Sequence, residues 1–137
     1  MIPKVKEPSL PTLIKEADEI FSKFIRYRDM KDGKIHCFIC GTPVKFAEAQ
    51  AMHYIVRDEM PTRYDGMNTH GGCESCNCYD PEHHNKYHLK MIDVYGIGPV
   101  QDLRTKSRGM QKYMRFELQE IIDKYKVLVA QLKKQKA

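Results

Sequence analysis

Residues 71–84 read GGCESCNCYDPEHH, a run that holds three cysteines, one asparagine and two histidines. Upstream, residues 35–41 read IHCFICG and contain another CxxC pair. Two residues between thiolates let both bind one ion, and two such pairs complete a tetrahedral site of four sulfurs. A redox role would account for one CxxC pair but not for two, and Cys78 is left without a role. We therefore predict one structural zinc ion bound by Cys37, Cys40, Cys73 and Cys76.

The chain of 137 residues is long enough for one domain with a modest core, which a metal site would help to stabilise. With 42% hydrophobic and 30% charged residues, its composition is that of a globular protein rather than a disordered one. It has no signal sequence and no apolar run near the ~20 residues of a membrane span, so we expect a cytoplasmic protein. The net charge of +5 suits a polyanionic partner such as DNA.

The patterns along the chain predict a single α+β domain over residues 1–137. Prolines mark residues 1–11 as an irregular leader, and apolar residues at helical spacing predict a helix over residues 12–30. Residues 35–96 should form the zinc-bound core: a knuckle, a strand hairpin and a helix that ends at Gly96. That layout is typical of a treble-clef zinc fold. Residues 97–137 should form a C-terminal helical arm.

The arm contains a stripe of apolar residues at alternating four- and three-residue steps, about three heptads long. Its members are Met110, Met114, Leu118, Ile121, Tyr125, Leu128 and Leu132. We expect this stripe to pack on the N-terminal helix of the same chain. The alternative is a coiled coil that joins two copies of the chain into a homodimer.

Histidines and asparagines near the cysteine pairs indicate a second site. His53 lies in the candidate strand AMHYIV, and Asn77 directly follows Cys76. If a hairpin leads into a helix here, the strand histidine faces the helix start across a cleft, which is the arrangement of a ββα-metal nuclease. Such an enzyme needs a neutral imidazole as general base and a divalent ion that stabilises charge on the phosphate.

Five segments resemble, in order and spacing, the lambdoid-phage NinG/Rap recombination proteins of the HNH endonuclease superfamily: FSKFIRYRD, HCFICG, AMHY, MNTHGGCESCN and YHLKMIDVYG. The resemblance covers residues 13–96, and its most specific part is the string N-x-H-x-x-C-x-x-C-N. It implies a bacteriophage DNA endonuclease that uses Mg²⁺ or Mn²⁺ and cleaves branched recombination intermediates such as Holliday junctions and D-loops.

The resemblance also implies roles for individual residues. His53 becomes the general base, Asn68 orients that base or braces the loop, and His70 binds metal or contacts the scissile phosphate. Asn77 becomes a ligand of the catalytic metal, with His83 as a further candidate. Structural alternatives stay open, since His53 could be a hydrogen-bonded strand residue, Asn77 a helix cap and Asn68 a turn residue.

Met52 departs from the wider superfamily, in which the residue before the base is often Asp or His and binds the metal. A thioether binds a hard cation poorly, which keeps open a non-catalytic zinc-finger DNA-binding or adaptor module. No base-reading motif is present, so specificity should come from DNA shape. Basic residues flank the proposed cleft and could hold phosphates, although each alone could be a solvated charge: Arg57, Arg63, Lys86, Lys90, Arg104, Lys106 and Arg108.

Overall fold

A computed structural model describes residues 7–137, which form four helices and five short strands. The helices are α1 (Leu10–Asp29), α2 (His83–Tyr95), α3 (Ile97–Ser107) and α4 (Arg115–Gln135). The strands are β1 (Met30–Lys31), β2 (Lys34–His36), β3 (Pro43–Lys45), β4 (Gln50–His53) and β5 (Thr69–Gly72). Short turns of 3₁₀ helix occur at Met60–Thr62 and Gly66–Asn68, and a π-helical turn at Ser75–Tyr79. The prediction of an α+β fold with flanking helices is confirmed.

Helix α1 begins where a capping residue and a proline meet. The Ser9 side chain accepts a hydrogen bond from the backbone nitrogen of Thr12, and Pro11 occupies the first turn, where its missing N–H costs nothing. The helix therefore starts two residues before the predicted position 12. The predicted irregular leader covers residues 1–11, of which the first six lie outside the described residues. The buried stripe of α1 recurs every four residues: Leu13, Ala17, Phe21 and Ile25.

Two small antiparallel sheets follow α1. Strands β1, β2 and β3 form the first sheet, and β4 pairs with β5 to form the second. In the β4–β5 hairpin, Met52 lies opposite His70 and His53 opposite Thr69. Because side chains alternate across a strand, Met52 and His53 face opposite sides of the hairpin. His53 lies near Phe21 of α1, with ring centroids 6.2 Å apart, whereas Met52 belongs to the core under α2.

The arm folds back so that α4 packs on α1 of the same chain, as predicted. The core between them contains Tyr64 and the buried stripes of both helices. The predicted members Met110 and Met114 lie outside this core, because α4 begins only at Arg115 and both methionines are exposed. The Glu117 carboxylate accepts a hydrogen bond from the Met114 backbone nitrogen and caps the helix there. On α4 the buried side chains are Leu118, Ile122, Tyr125 and Val129.

This packing bears on the coiled-coil alternative. The apolar face of α4 is already occupied by α1, so a homodimer would have to use another surface. At the end of the arm, the Lys136 ammonium donates hydrogen bonds of 2.7–2.8 Å to the carbonyls of Tyr27, Arg28 and Met30. Tyr27 and Arg28 lie in the last turn of α1, and Met30 follows the helix. A cation is favourable at that end of a helix.

A second core lies on the other side of the β4–β5 hairpin, under α2 and α3. The side chains of Tyr87 and Met91 on α2 are buried, while Val94 is exposed. Gly96 adopts a φ of +87°, which ends α2 and lets α3 begin at the next residue. The second CxxC pair leads into a π-helical turn, and α2 begins only after Pro81, which interrupts the helix. Within residues 7–137, no helix has the length and apolarity needed to span a membrane.

Candidate metal centre and candidate active site

The four cysteines of the two CxxC pairs meet at one point. Cys37 and Cys40 lie on the knuckle between β2 and β3, and Cys73 and Cys76 follow β5. Their four sulfurs lie within 4.8 Å of one another, and the Cys40 and Cys73 sulfurs are 3.7 Å apart. Four thiolates around one zinc ion at ~2.3 Å would be about 3.8 Å apart, so this spacing fits tetrahedral zinc.

Local contacts position these sulfurs and change the pKa values of the thiols. The knuckle turns at Gly41, which has a φ of +78° and donates a backbone hydrogen bond to the Cys37 carbonyl. The Thr42 hydroxyl lies 3.1 Å from the Cys40 sulfur, and this hydrogen bond lowers the pKa of Cys40 to about 6. Burial raises the pKa of Cys73 and of Cys76. Binding of an ion would therefore release protons from the more basic thiols.

A cavity of about 700 Å³ opens on the other side of the hairpin, between β4 and the middle of α1. His53 lies in its wall. The structure brings Asn77 from the π-helical turn and His83 from the start of α2 to the same cavity. The other polar side chains of the lining are Asp18, Ser22, Gln50, Arg57 and Asp58.

The imidazole of His53 is held in one orientation and one tautomer. Its Nε2 lies 3.1 Å from the backbone carbonyl oxygen of Arg63. Because a carbonyl only accepts, Nε2 carries the proton and donates it, which leaves Nδ1 as the acceptor. Burial lowers the pKa of His53, and the nearby charges of Arg57 and Arg63 lower it further. The ring is therefore neutral at pH 7, the state in which it can accept a proton.

The carbonyl that anchors His53 is itself held by an ion pair. The Arg63 guanidinium binds both carboxylate oxygens of Asp18, at 2.9 and 2.6 Å, and also donates to the Arg57 carbonyl. Both partners are mostly buried, so this bidentate contact attaches the loop to α1. Asp18 lines the cavity, but its charge is already neutralised by Arg63. We did not predict this support from the sequence, because the two residues are 45 positions apart.

Asn77 and His83 each carry a polar atom that has no hydrogen-bond partner among the described residues. The Asn77 amide nitrogen donates to Gln50 at 2.6 Å, which leaves its amide oxygen available. Asn77 does not cap a helix, since α2 starts six residues later. The Nδ1 of His83 is buried and has no hydrogen-bond partner among the described residues. An oxygen and an imidazole nitrogen on one cavity wall are a donor set that suits Mn²⁺ or Mg²⁺.

Asn68 lies beside the cavity wall and supports it from behind. The side chain is fully buried. Its oxygen accepts from the backbone nitrogen of Ile55, and its nitrogen donates to the carbonyls of Ile55 and Thr62. No hydrogen bond joins Asn68 to the His53 ring within the described part of the chain. Of the two roles expected for Asn68, these hydrogen bonds support bracing of the loop that carries the Arg63 carbonyl.

His70 lies on the opposite face of the hairpin from His53. Only 3% of it is exposed, and its ring stacks on Phe38 at 3.8 Å between centroids. Both ring nitrogens are used, Nδ1 by the Tyr87 hydroxyl at 2.8 Å and Nε2 by the Tyr95 hydroxyl at 2.6 Å. Burial, followed by the charge of Arg28, lowers the pKa of His70 to about 4. In this arrangement His70 does not reach the cavity, and we leave it out of the proposed catalytic set.

A family model described as Bacteriophage Lambda NinG protein matches residues 3–135 of the chain. The chain belongs to the NinG family. The match includes both cysteine pairs, the β4–β5 hairpin and all of α4. No curated protein and no solved structure matches the chain.

In this NinG-family chain the residue before His53 does not face the cavity. Met52 is fully buried in the second core, and its side chain fills the space beside Gly72. A Cβ atom at residue 72 would come within 2.2 Å of Met52 Cε, so a side chain there would displace the end of the Met52 side chain. A metal ligand at residue 52 would have to point the other way. His83 lines the cavity and is the candidate for that role, whereas the neighbouring His84 does not line it. Sequence spacing alone did not distinguish between the two histidines.

Proposed function

We propose that this NinG-family chain is a metal-dependent endonuclease that cleaves branched DNA recombination intermediates, with His53 as the general base. One observation carries the proposal. A neutral imidazole with a fixed tautomer and a free Nδ1 lies in the wall of a cavity that Asn77 and His83 also line, and the buried Nδ1 of His83 has no hydrogen-bond partner among the described residues. A base, a candidate metal-binding pair and space for a phosphate are together the requirements of phosphodiester hydrolysis.

The chemistry assigned to His53 follows from its hydrogen bonds. Nδ1 takes a proton from a water molecule, whose oxygen then attacks the phosphorus and displaces the leaving oxygen of the sugar. The resulting imidazolium still donates its Nε2 proton in a hydrogen bond to the Arg63 carbonyl. This hydrogen bond prevents the ring from turning during the proton transfer. Asp18 and Arg63 act as positioning residues, because they hold that carbonyl against α1.

Asn77 and His83 would hold the divalent ion, with water completing its shell. Such an ion, when bound, stabilises negative charge on the phosphate and on the leaving oxygen. We propose that zinc at the four cysteines is separate and structural. Cys76 precedes Asn77 directly, so the zinc site would determine where the Asn77 oxygen lies relative to β4. Removal of zinc should therefore disturb the active site as well as the fold.

The substrate class rests on the sequence resemblance to the NinG/Rap recombination proteins and on the absence of a base-reading motif. Shape rather than sequence would select the DNA. Two symmetric cuts in a four-way junction would suit a homodimer. The cell compartment would be the cytoplasm of the bacterial host.

The proposal is tested by incubating a labelled four-way junction and its matching linear duplex with the protein and Mg²⁺ or Mn²⁺. His53→Ala should lower the cleavage rate by at least ~10²-fold, since general-base catalysis contributes typically 10²–10⁴-fold. His36→Ala is the matched control, because His36 is exposed on β2 away from the cavity. Zinc content and circular dichroism of His53→Ala should equal those of the wild type. Unfolding of that variant would mean that His53 is structural.

A second candidate function is a non-catalytic zinc-finger DNA-binding or adaptor module. The observation that favours it is the small ligand set, since residue 52 faces away from the cavity and the Asp18 carboxylate is paired with Arg63. Such a module would bind the junction with a salt-dependent affinity and would not cut it with either metal ion. Binding without cleavage by the wild type would therefore select this function.

A further inference from the structure

Four side chains form a second cluster, which we call the Tyr54 cluster: Tyr54, His84, His88 and Arg104. The Tyr54 ring is nearly fully buried and lies almost parallel to both imidazoles. The ring centroids are 5.7 Å from His84 and 5.8 Å from His88, with interplanar angles of 6° and 12°. His84 and His88 are one helical turn apart on α2, and Arg104 reaches the cluster from α3.

The hydrogen bonds of the Tyr54 cluster determine where its protons are. The Nε of Arg104 donates to the Tyr54 hydroxyl oxygen at 3.0 Å. Since guanidinium can only donate, the hydroxyl uses its own proton for its other partner, the Nδ1 of His88. His88 Nδ1 is therefore an acceptor, and the neutral ring carries its proton on Nε2. This second nitrogen is a donor with no hydrogen-bond partner among the described residues.

The charge of the cluster is positive and uncompensated. Arg28, Arg57 and Arg63 each pair with an aspartate. Arg104 has no such carboxylate partner within residues 7–137, and it retains donors beyond those used by Tyr54 and His88. A guanidinium held by an aromatic ring, beside an imidazole N–H, suits an oxyanion such as phosphate. It does not suit a metal ion, since the guanidinium is positive and His88 Nδ1 is already occupied.

We propose that the Tyr54 cluster binds a backbone phosphate of the DNA that the cavity engages. This inference rests on the proposed function. Tyr54 directly follows His53, the last residue of β4, and His84 follows His83 at the start of α2, so the chain connects the cluster to the cavity. Tyr54 belongs to the core under α2, on the opposite side of the hairpin from His53. A strand held in the cavity would therefore pass over the end of β4 and bring another of its phosphates to the Arg104 guanidinium and the His88 Nε2 proton. The cluster would position the strand and take no part in proton transfer.

The test measures DNA binding apart from cleavage. In the full-length His53→Ala background, without added Mg²⁺ or Mn²⁺, fluorescence anisotropy follows binding of a labelled four-way junction over a series of salt concentrations. Arg104→Gln should weaken binding about ten-fold and reduce the slope of log affinity against log salt by about 1, the loss of one phosphate contact. Arg104→Lys should keep most of the slope, because the charge remains. Arg115→Gln is the matched control, because it removes one arginine from a different helix, α4, and should change the binding much less.

A second variant covers the case in which Arg104→Gln does not fold. His84 is exposed, so His84→Glu should leave the melting temperature unchanged while its carboxylate repels a phosphate. It should weaken binding about ten-fold, whereas Asn85→Glu, an exposed neighbour with the same change of charge, should have a much smaller effect. Equal effects of the two glutamates, or unchanged binding by a folded Arg104→Gln, would overturn the proposed phosphate site.

The outcomes separate this site from the proposed function. Cleavage by the wild type with normal binding by Arg104→Gln overturns the phosphate site only. A wild type that binds but never cleaves, with weaker binding by Arg104→Gln, overturns the nuclease and supports the site. Failure of the wild type to bind the junction overturns both. Inorganic phosphate at constant ionic strength should compete with the DNA in a manner that depends on Arg104. Phosphate that binds in an Arg104-dependent manner without displacing the DNA would identify free phosphate as the ligand and overturn the DNA assignment.

Discussion

Replacement of Asn68 by alanine tests whether this residue braces the loop or takes part in the reaction. The side chain makes three hydrogen bonds of 2.8, 3.0 and 3.2 Å to backbone groups of Ile55 and Thr62. At about 1 kcal/mol for each hydrogen bond, Asn68→Ala should lower the free energy of unfolding by about 3 kcal/mol. The loop that carries the Arg63 carbonyl should loosen with it.

The expected change in melting temperature follows from the size of the chain. An unfolding entropy of ~2.1 cal/mol/K per residue, over 137 residues, corresponds to about 3.5 °C for each kcal/mol. Asn68→Ala should therefore melt about 10 °C below the wild type. The melts should be recorded at one fixed zinc concentration, because a bound ion raises the apparent stability. Asn85→Ala is the control, since its hydrogen bond to Glu82 is exposed and should be worth less than ~0.5 kcal/mol.

Cleavage assays on the same variant complete the test. At a temperature well below its melting point, folded Asn68→Ala should retain measurable cleavage of the junction, because the side chain makes no hydrogen bond to His53 in the described structure. A variant that melts within about 2 °C of the wild type, yet has lost cleavage, would refute the bracing role. Asn68 would then act on the substrate or on the base directly.

The remaining predictions concern the zinc site and the buried histidine. Cys73→Ser should lose the zinc ion, as measured by atomic emission, and should lose its folded structure, whereas Cys78→Ser should retain both because Cys78 lies outside the cluster. A folded, metal-free Cys73→Ser protein would contradict the structural zinc site. His70 has a pKa of about 4 in the folded chain and about 6.5 when unfolded, so only the unfolded state gains a proton between those values. Lowering the pH from 7 to 5 should therefore reduce the free energy of unfolding of the wild type by about 2 kcal/mol more than that of His70→Phe. Urea denaturation at both pH values measures this, and equal shifts of the urea midpoint in the two proteins would refute it.

Local patterns of the sequence predicted most of the individual elements. Apolar spacing indicated α1, Gly96 indicated the end of α2, and the two CxxC pairs indicated a common metal centre. These predictions succeed because each depends on residues within a few positions, or on a ligand that only one arrangement can satisfy. The start of α4 was predicted too early, since the periodicity of the methionines continued beyond the Glu117 cap that begins the helix.

The residues that line the candidate active site depend on which way each strand residue faces. The sequence by itself determined that histidines and asparagines accompany the zinc site. Only the tertiary structure decided that His53, Asn77 and His83 share a cavity while His70 does not. The physical reason is the register of β4 and β5, which places His70 opposite Met52, together with the packing of α1 on one face of the hairpin and α2 on the other. That register and that packing arise from contacts between distant residues, which local spacing does not contain.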